Sequence, residues 1–164
     1  MSSALLAAHL IAIAVYLGAS VLLALLIPSV GTGASSPVER RARYAAVFRA
    51  YNPLAVATLG VIVMTGAWSI TSYKEAFGPA FFAVVGGALV GKLAIAFFVV
   101  MFGVYVCMGI GLRLVRATQG GLPVTDDQLR RQVRRMQTTL WMTLMLVFWA
   151  AWIARDIAPA AMAQ

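Results

Sequence analysis

The stretch from Leu5 to Ile27, LLAAHLIAIAVYLGASVLLALLI, runs for 23 residues without a charge. At 1.5 Å of rise per residue a helix of that length covers about 35 Å, enough to cross the roughly 30 Å of hydrocarbon in a bilayer. Three more stretches repeat the pattern. Tyr51 to Tyr73 and Met136 to Ala154 carry no charge, and Ala80 to Leu112 carries only Lys92. With 62% hydrophobic residues and a mean hydropathy of +0.90, the expected solvent is the bilayer.

Backbone groups in hydrocarbon must satisfy each other, so spanning segments of this length are helices. The expected fold is all-α: one domain, a four-helix transmembrane bundle with helices over about 5–27, 51–72, 80–112 and 136–157. The first stretch is not read as a signal peptide, because no basic residue precedes it and it is longer than a typical apolar signal core.

The net charge of +8 would suggest nucleic acid in a soluble protein, but its placement here argues otherwise. Ten of the thirteen basic residues fall in the first and third connections: Arg40, Arg41, Arg43 and Arg49, then Arg113, Arg116, Arg130, Arg131, Arg134 and Arg135. In the second connection Lys74 and Glu75 cancel. The positive-inside rule makes the basic side cytoplasmic and puts both termini outside, in the periplasm of a bacterium. The expected partners are membrane lipids, a larger membrane complex or further copies of the chain, and no nucleic acid. With Cys107 as the sole cysteine, no intrachain disulfide can form.

Between the apolar runs, Pro28 and GTGASSP read as a polar turn. VERRARYAAVFRAYNP is either an amphipathic helix on the membrane surface or a solvated loop, with helix two starting at Asn52 and Pro53. TQGGLPVTDD breaks helix three, and DDQLRRQVRRMQ leads into helix four. Trp149 and Trp152, with Arg155 and Asp156, suit the outer interface.

Two polar side chains inside the apolar runs are candidates for chemistry. Lys92 lies about twelve residues into helix three, so it is expected near mid-membrane and facing the interior or a polar cavity. A lysine there costs about 2.5–3.5 kcal/mol on insertion scales. No acid lies within any of the runs, so its partner is a carbonyl, a hydroxyl such as those of Thr65 or Tyr16, water, or an anionic group on a ligand. His9, the sole histidine, sits about one turn inside the outer face, with Tyr16 on the same helical face. It is either a ligand for copper or a haem-type metal, or a satisfied interfacial residue. Bis-histidine haem ligation within one chain is excluded, which leaves Met64, in the same outer half, as the candidate second ligand. The pairs Met101 with Met108 and Met142 with Met145 lie too deep to meet His9 and suit packing. Gly103, Cys107 and Gly111, and further out Ala83, Gly87 and Gly91, form small-residue ladders that let helices approach closely.

HLIAIAVYLG, the basic aromatic segment ending RAYNP, GVIVMTGAW and GALVGKLAIAFF together resemble the CopD-like membrane proteins. That group includes the copper-resistance CopD domain and the HemJ-type protoporphyrinogen oxidases, and the resemblance covers about residues 8–98. It implies that His9 and Lys92 are the polar features of the interior and that Thr65 and Gly66 match the family's TG pair. It also implies a bacterial inner-membrane location, with haem b in one branch and copper movement in the other. His9, Tyr16, Met64 and Lys92 would be the cofactor-binding set, His9 and Met64 the metal ligands, and Lys92 the candidate for proton transfer. Helix four departs from the HemJ pattern, reading LWMTLMLVFWAAWIA where that branch carries an acidic, proline-containing motif.

Two readings of function follow. In one, the outer half of the bundle holds haem b or copper at His9 in a redox or metal-handling role; whether the chain is an enzyme stays open. In the other, it is a non-catalytic accessory subunit of a larger respiratory or photosynthetic complex.

Overall fold

The computed structural model describes residues 3–162, with the side chains of Val84, Val85, Ala88 and residues 150–162 outside the described set. The expected positions of Trp152, Arg155 and Asp156 at the interface therefore lie outside the described residues. Among those described, every regular element is helical: α1 is Ser3–Val30, α2 Pro37–Phe77, α3 Phe81–Val104, α4 Leu112–Gln119 and α5 Asp126–Met162. A short 3-10 turn, Gly78–Ala80, joins α2 to α3, and a π-helical segment, Tyr105–Gly111, makes α3 and α4 one rod. Three stretches are long and apolar enough to cross a membrane: Ser3–Val30, Pro37–Ala83 and Leu89–Gln119.

α1 packs against α2 and α5, and the α3–α4 rod packs against the same two helices. Three contacts in descending register show α1 and α2 to be antiparallel. The Tyr44 hydroxyl donates to the Ile27 carbonyl at 3.3 Å, Ser20 Oγ lies 3.1 Å from the Tyr51 hydroxyl, and His9 meets Thr65 at 2.6 Å.

α2 corrects the expected boundary, starting at Pro37 rather than near Asn52. The Ser36 hydroxyl accepts from the Glu39 amide at 3.2 Å, and Pro37 opens the first turn, where its missing N–H costs nothing. The Glu39 carboxylate accepts from the Ser35 hydroxyl at 2.7 Å and the Ser35 amide at 2.9 Å, and pairs with Arg43 at 2.6 Å. Those bonds, the Ser35 hydroxyl first, hold its carboxyl down to about 2. The basic segment is thus neither a loop nor a separate surface helix: it continues into the span and buries Arg41, Tyr44, Ala45 and Phe48 on one face. Pro53 does not break it, because only the helical bond to the Arg49 carbonyl is lost while Phe48, Tyr51 and Ala55 hold both sides of the proline in the core. Asp126, in the first turn of α5, pairs with Arg40 at 2.8 Å and ties the two basic connections together.

Most of the buried side chains among the described residues lie toward the basic end. Leu23, Ile27, Phe48, Cys107, Leu129 and Met136 fill the basic end. At the other end, beyond Tyr16 and Leu59, only Ala12, Thr65 and Phe81 are buried among the described side chains. The inner ladder explains part of this. A Cβ on Gly103 would fall 2.7 Å from both Leu59 Cδ1 and the Tyr16 hydroxyl, one on Gly111 would enter the Phe48 ring, and Cys107 between them is fully buried. The outer ladder makes no such seam, because Ala83, Gly87 and Gly91 are exposed and a Cβ on either glycine would meet nothing within 4 Å.

Candidate functional site at His9

His9 stands in the second turn of α1, and its half-buried ring faces α2. Its Nδ1 lies 2.6 Å from Thr65 Oγ1, and the same hydroxyl lies 2.6 Å from the Val61 carbonyl, one turn back on α2. A threonine hydroxyl has one proton. Given to Val61, it leaves oxygen lone pairs to accept from His9, so the imidazole carries its proton on Nδ1 and its lone pair on Nε2. This is the arrangement by which a second group fixes the tautomer and orientation of a metal-binding histidine. Gly66, beside Thr65, faces the same ring: a Cβ there would make an ordinary contact, 3.7 Å from His9 Cε1.

The other residues expected at the site are placed differently. Tyr16 lies two turns further in, 2% exposed, its hydroxyl against Gly103 and within the packed core. It forms part of the floor beneath His9. Met64 neighbours Thr65 in sequence, but the helical step of about 100° turns it away, and it is 72% exposed. It is not brought to His9 in this conformation.

Lys92 corrects one expectation. It is exposed rather than directed into the interior. It lies eleven residues from Gly103, whose seat is against Tyr16 and Leu59, and so about 16 Å from that seam toward the α2–α3 hairpin. Among the described residues Lys92 has no hydrogen-bonding or ionic partner. The methionine pairs Met101 with Met108 and Met142 with Met145 are all exposed.

Thr65 is the partner that inspection of His9 alone does not find, since 56 residues separate the two. The TG pair in GVIVMTGAW is the one sequence signal that marked it. Arg41 was likewise not legible as an interior residue: it is 3% exposed, and its Nε has no hydrogen-bond partner among the described residues.

No family model, curated protein or solved structure matches this chain.

Proposed function

We propose that this chain is a four-helix transmembrane protein of the bacterial inner membrane, with both termini periplasmic, and that its outer half binds a haem-type ring through His9. The observation that carries the proposal is that Thr65 Oγ1 lies 2.6 Å from both His9 Nδ1 and the Val61 carbonyl; a hydroxyl that donates to Val61 takes the Nδ1 proton and leaves the Nε2 lone pair of a half-buried imidazole for a metal. One other supports it. Lys92, exposed and without a hydrogen-bonding or ionic partner among the described residues, is a cation suited to a carboxylate on such a ring or to passing a proton at its Nζ. A ring of this kind, when bound, supplies one-electron redox chemistry.

Copper is the other metal the resemblance implies. It would need further donors, but the described residues hold no group of three His, Cys, Asp or Glu side chains, and Met64 is exposed. A ring with a single axial imidazole suits His9 better.

A second reading, a non-catalytic accessory subunit of a larger membrane complex, draws support from the exposed face of Ala83, Gly87 and Gly91, on which a partner helix could pack closely.

The test is an absorption spectrum of the detergent-purified protein, air-oxidised and then dithionite-reduced, with metal analysis on wild type and His9→Ala. A Soret band that shifts on reduction and is lost in the variant is expected. Copper without a Soret band would replace the ring by the metal ion. A colourless, metal-free wild type that copurifies with larger membrane proteins would overturn the proposal in favour of the accessory subunit.

A further inference from the structure

The ten arginines of the two basic connections have been given no role by the site at His9, and three of them converge. Arg131, Arg134 and Arg135 on α5 line a groove of about 340 Å³ together with Tyr105, Thr138 and Thr139. A second depression of about 360 Å³ adjoins it, lined by Gln128, Arg131, Gln132 and Arg135, so that Arg131 and Arg135 are shared. The ion pairs of the described residues are Arg40 with Asp126 and Arg43 with Glu39, so none of the three groove arginines forms an ion pair among them, Asp127 one turn before Arg131 included.

The groove sits where a phospholipid headgroup would. Arg131, Arg134 and Arg135 immediately precede the uncharged run that starts at Met136, while Thr138 and Thr139 belong to its first turn. Tyr105 comes from the other wall, at the start of the π-helical segment. Its ring lies along Gly109, where a Cβ would fall 2.9 Å from Tyr105 Cδ2, so the glycine gives the ring its seat. Further along the same two helices, toward the bilayer interior, Met101, Val104, Met142 and Met145 are exposed and apolar. Cations at the rim, an aromatic and hydroxyls at the boundary and bare apolar side chains beyond form the sequence that an anionic lipid presents in reverse.

We propose that the groove between α5 and the π-helical segment is a binding site for an anionic phospholipid carrying two phosphodiesters. Guanidinium forks suit phosphate oxygens, and two contiguous depressions sharing two arginines suit two phosphates held a short distance apart. The site is independent of the reading at His9.

The experiment is native mass spectrometry of the full-length protein titrated with tetraoleoyl cardiolipin, dioleoyl phosphatidylglycerol or dioleoyl phosphatidylcholine. It is run on wild type, on the triple variant Arg131→Gln, Arg134→Gln, Arg135→Gln, and on a charge-matched control, Arg49→Gln, Arg113→Gln, Arg116→Gln. Cardiolipin is expected to bind wild type and control alike, within about twofold. The groove variant should be weaker by on the order of 100-fold, since each surface arginine contributes about fivefold. All six arginines are exposed, so neither variant disturbs the core. Equal losses in the two variants would overturn the site in favour of general charge attraction. Phosphatidylglycerol binding as tightly as cardiolipin at equal phosphate would overturn the two-phosphate assignment. Displacement of bound cardiolipin from wild type by 10 mM inorganic phosphate would overturn the lipid in favour of a free anion.

Discussion

Replacing Thr65 by valine removes one hydroxyl and leaves the side chain's shape unchanged, so it isolates the bond on which the reading of His9 rests. No cavity opens, and the Val61 carbonyl keeps its ordinary helical partner. What is lost is the acceptor 2.6 Å from His9 Nδ1. Without it both tautomers become available and the ring is free to turn, so the fraction of molecules presenting a correctly aimed Nε2 lone pair falls. Outer-shell partners of metal-binding histidines contribute about 10–100-fold in affinity, or about 1.4–2.8 kcal/mol. Because the ring is only half-buried, water can replace part of the lost bond, which places the expected effect at the lower end, about tenfold. The assay is a haem titration of the detergent-solubilised apoprotein followed at the Soret band. Thr65→Ser serves as the control that keeps the hydroxyl and should bind within about threefold of wild type. His9→Ala should abolish the band. If Thr65→Val binds as wild type while His9→Ala does not, the tautomer argument is refuted though the ligand stands; if all three variants bind alike, His9 is not the ligand.

Three further outcomes test the packing and the charges. Gly111→Ala should destabilise the protein by about 1–3 kcal/mol, since its Cβ would enter the buried Phe48 ring, whereas Gly91→Ala should be neutral or gain up to about 1 kcal/mol of helix propensity. Thermal unfolding of the two in one detergent separates them, and equal effects would show that the inner ladder is not a tight seam. Arg41→Met should raise the unfolding midpoint, by an amount worth about 1–4 kcal/mol, because it exchanges a 3% exposed guanidinium with an unpartnered Nε for an apolar side chain of similar volume. A lower midpoint would mean that Arg41 has a partner in the membrane. Asp126→Asn breaks the Arg40 pair, whose side chains are 26% and 41% exposed, and should cost no more than about 1 kcal/mol, with the cost fading in molar salt. A loss unaffected by salt would contradict a solvated ion pair.

Much of the helical order was legible because the apolar runs are about as long as a bilayer crossing, and three stretches of the described residues are long and apolar enough to make one. The failures are equally physical. Asn52 and Pro53 carry a strong local signal for a helix start, yet tertiary burial of Phe48, Tyr51 and Ala55 outweighs one lost backbone bond, so α2 runs through. The ladder Gly103, Cys107, Gly111 was readable as a close-packing face and is one, whereas the equally regular Ala83, Gly87, Gly91 meets nothing, because spacing records what can approach and not what does. Nothing local predicts a widened π-helical stretch at Tyr105–Gly111, and nothing local predicts that His9 and Thr65 meet.

The packing of the basic end bears on where a ligand would act. A site that must admit and orient a group cannot also be closed by interlocking side chains, so binding regions are drawn from the less stable part of a fold. Here the basic end is closed by the Gly103 and Gly111 seam, by the Arg40 pair across the two connections and by the core around Phe48 and Met136. That rigidity fixes the relative positions of α1 and α2 as far as Ser20 and Tyr51, and the buried Ala55, Tyr16 and Leu59 continue the packing beyond them. His9 and Thr65 hold a further polar contact between α1 and α2, with Tyr16 beneath it. A group bound at Nε2 would add packing around that contact, so its affinity and the order of that end of the α1–α2 pair should rise and fall together.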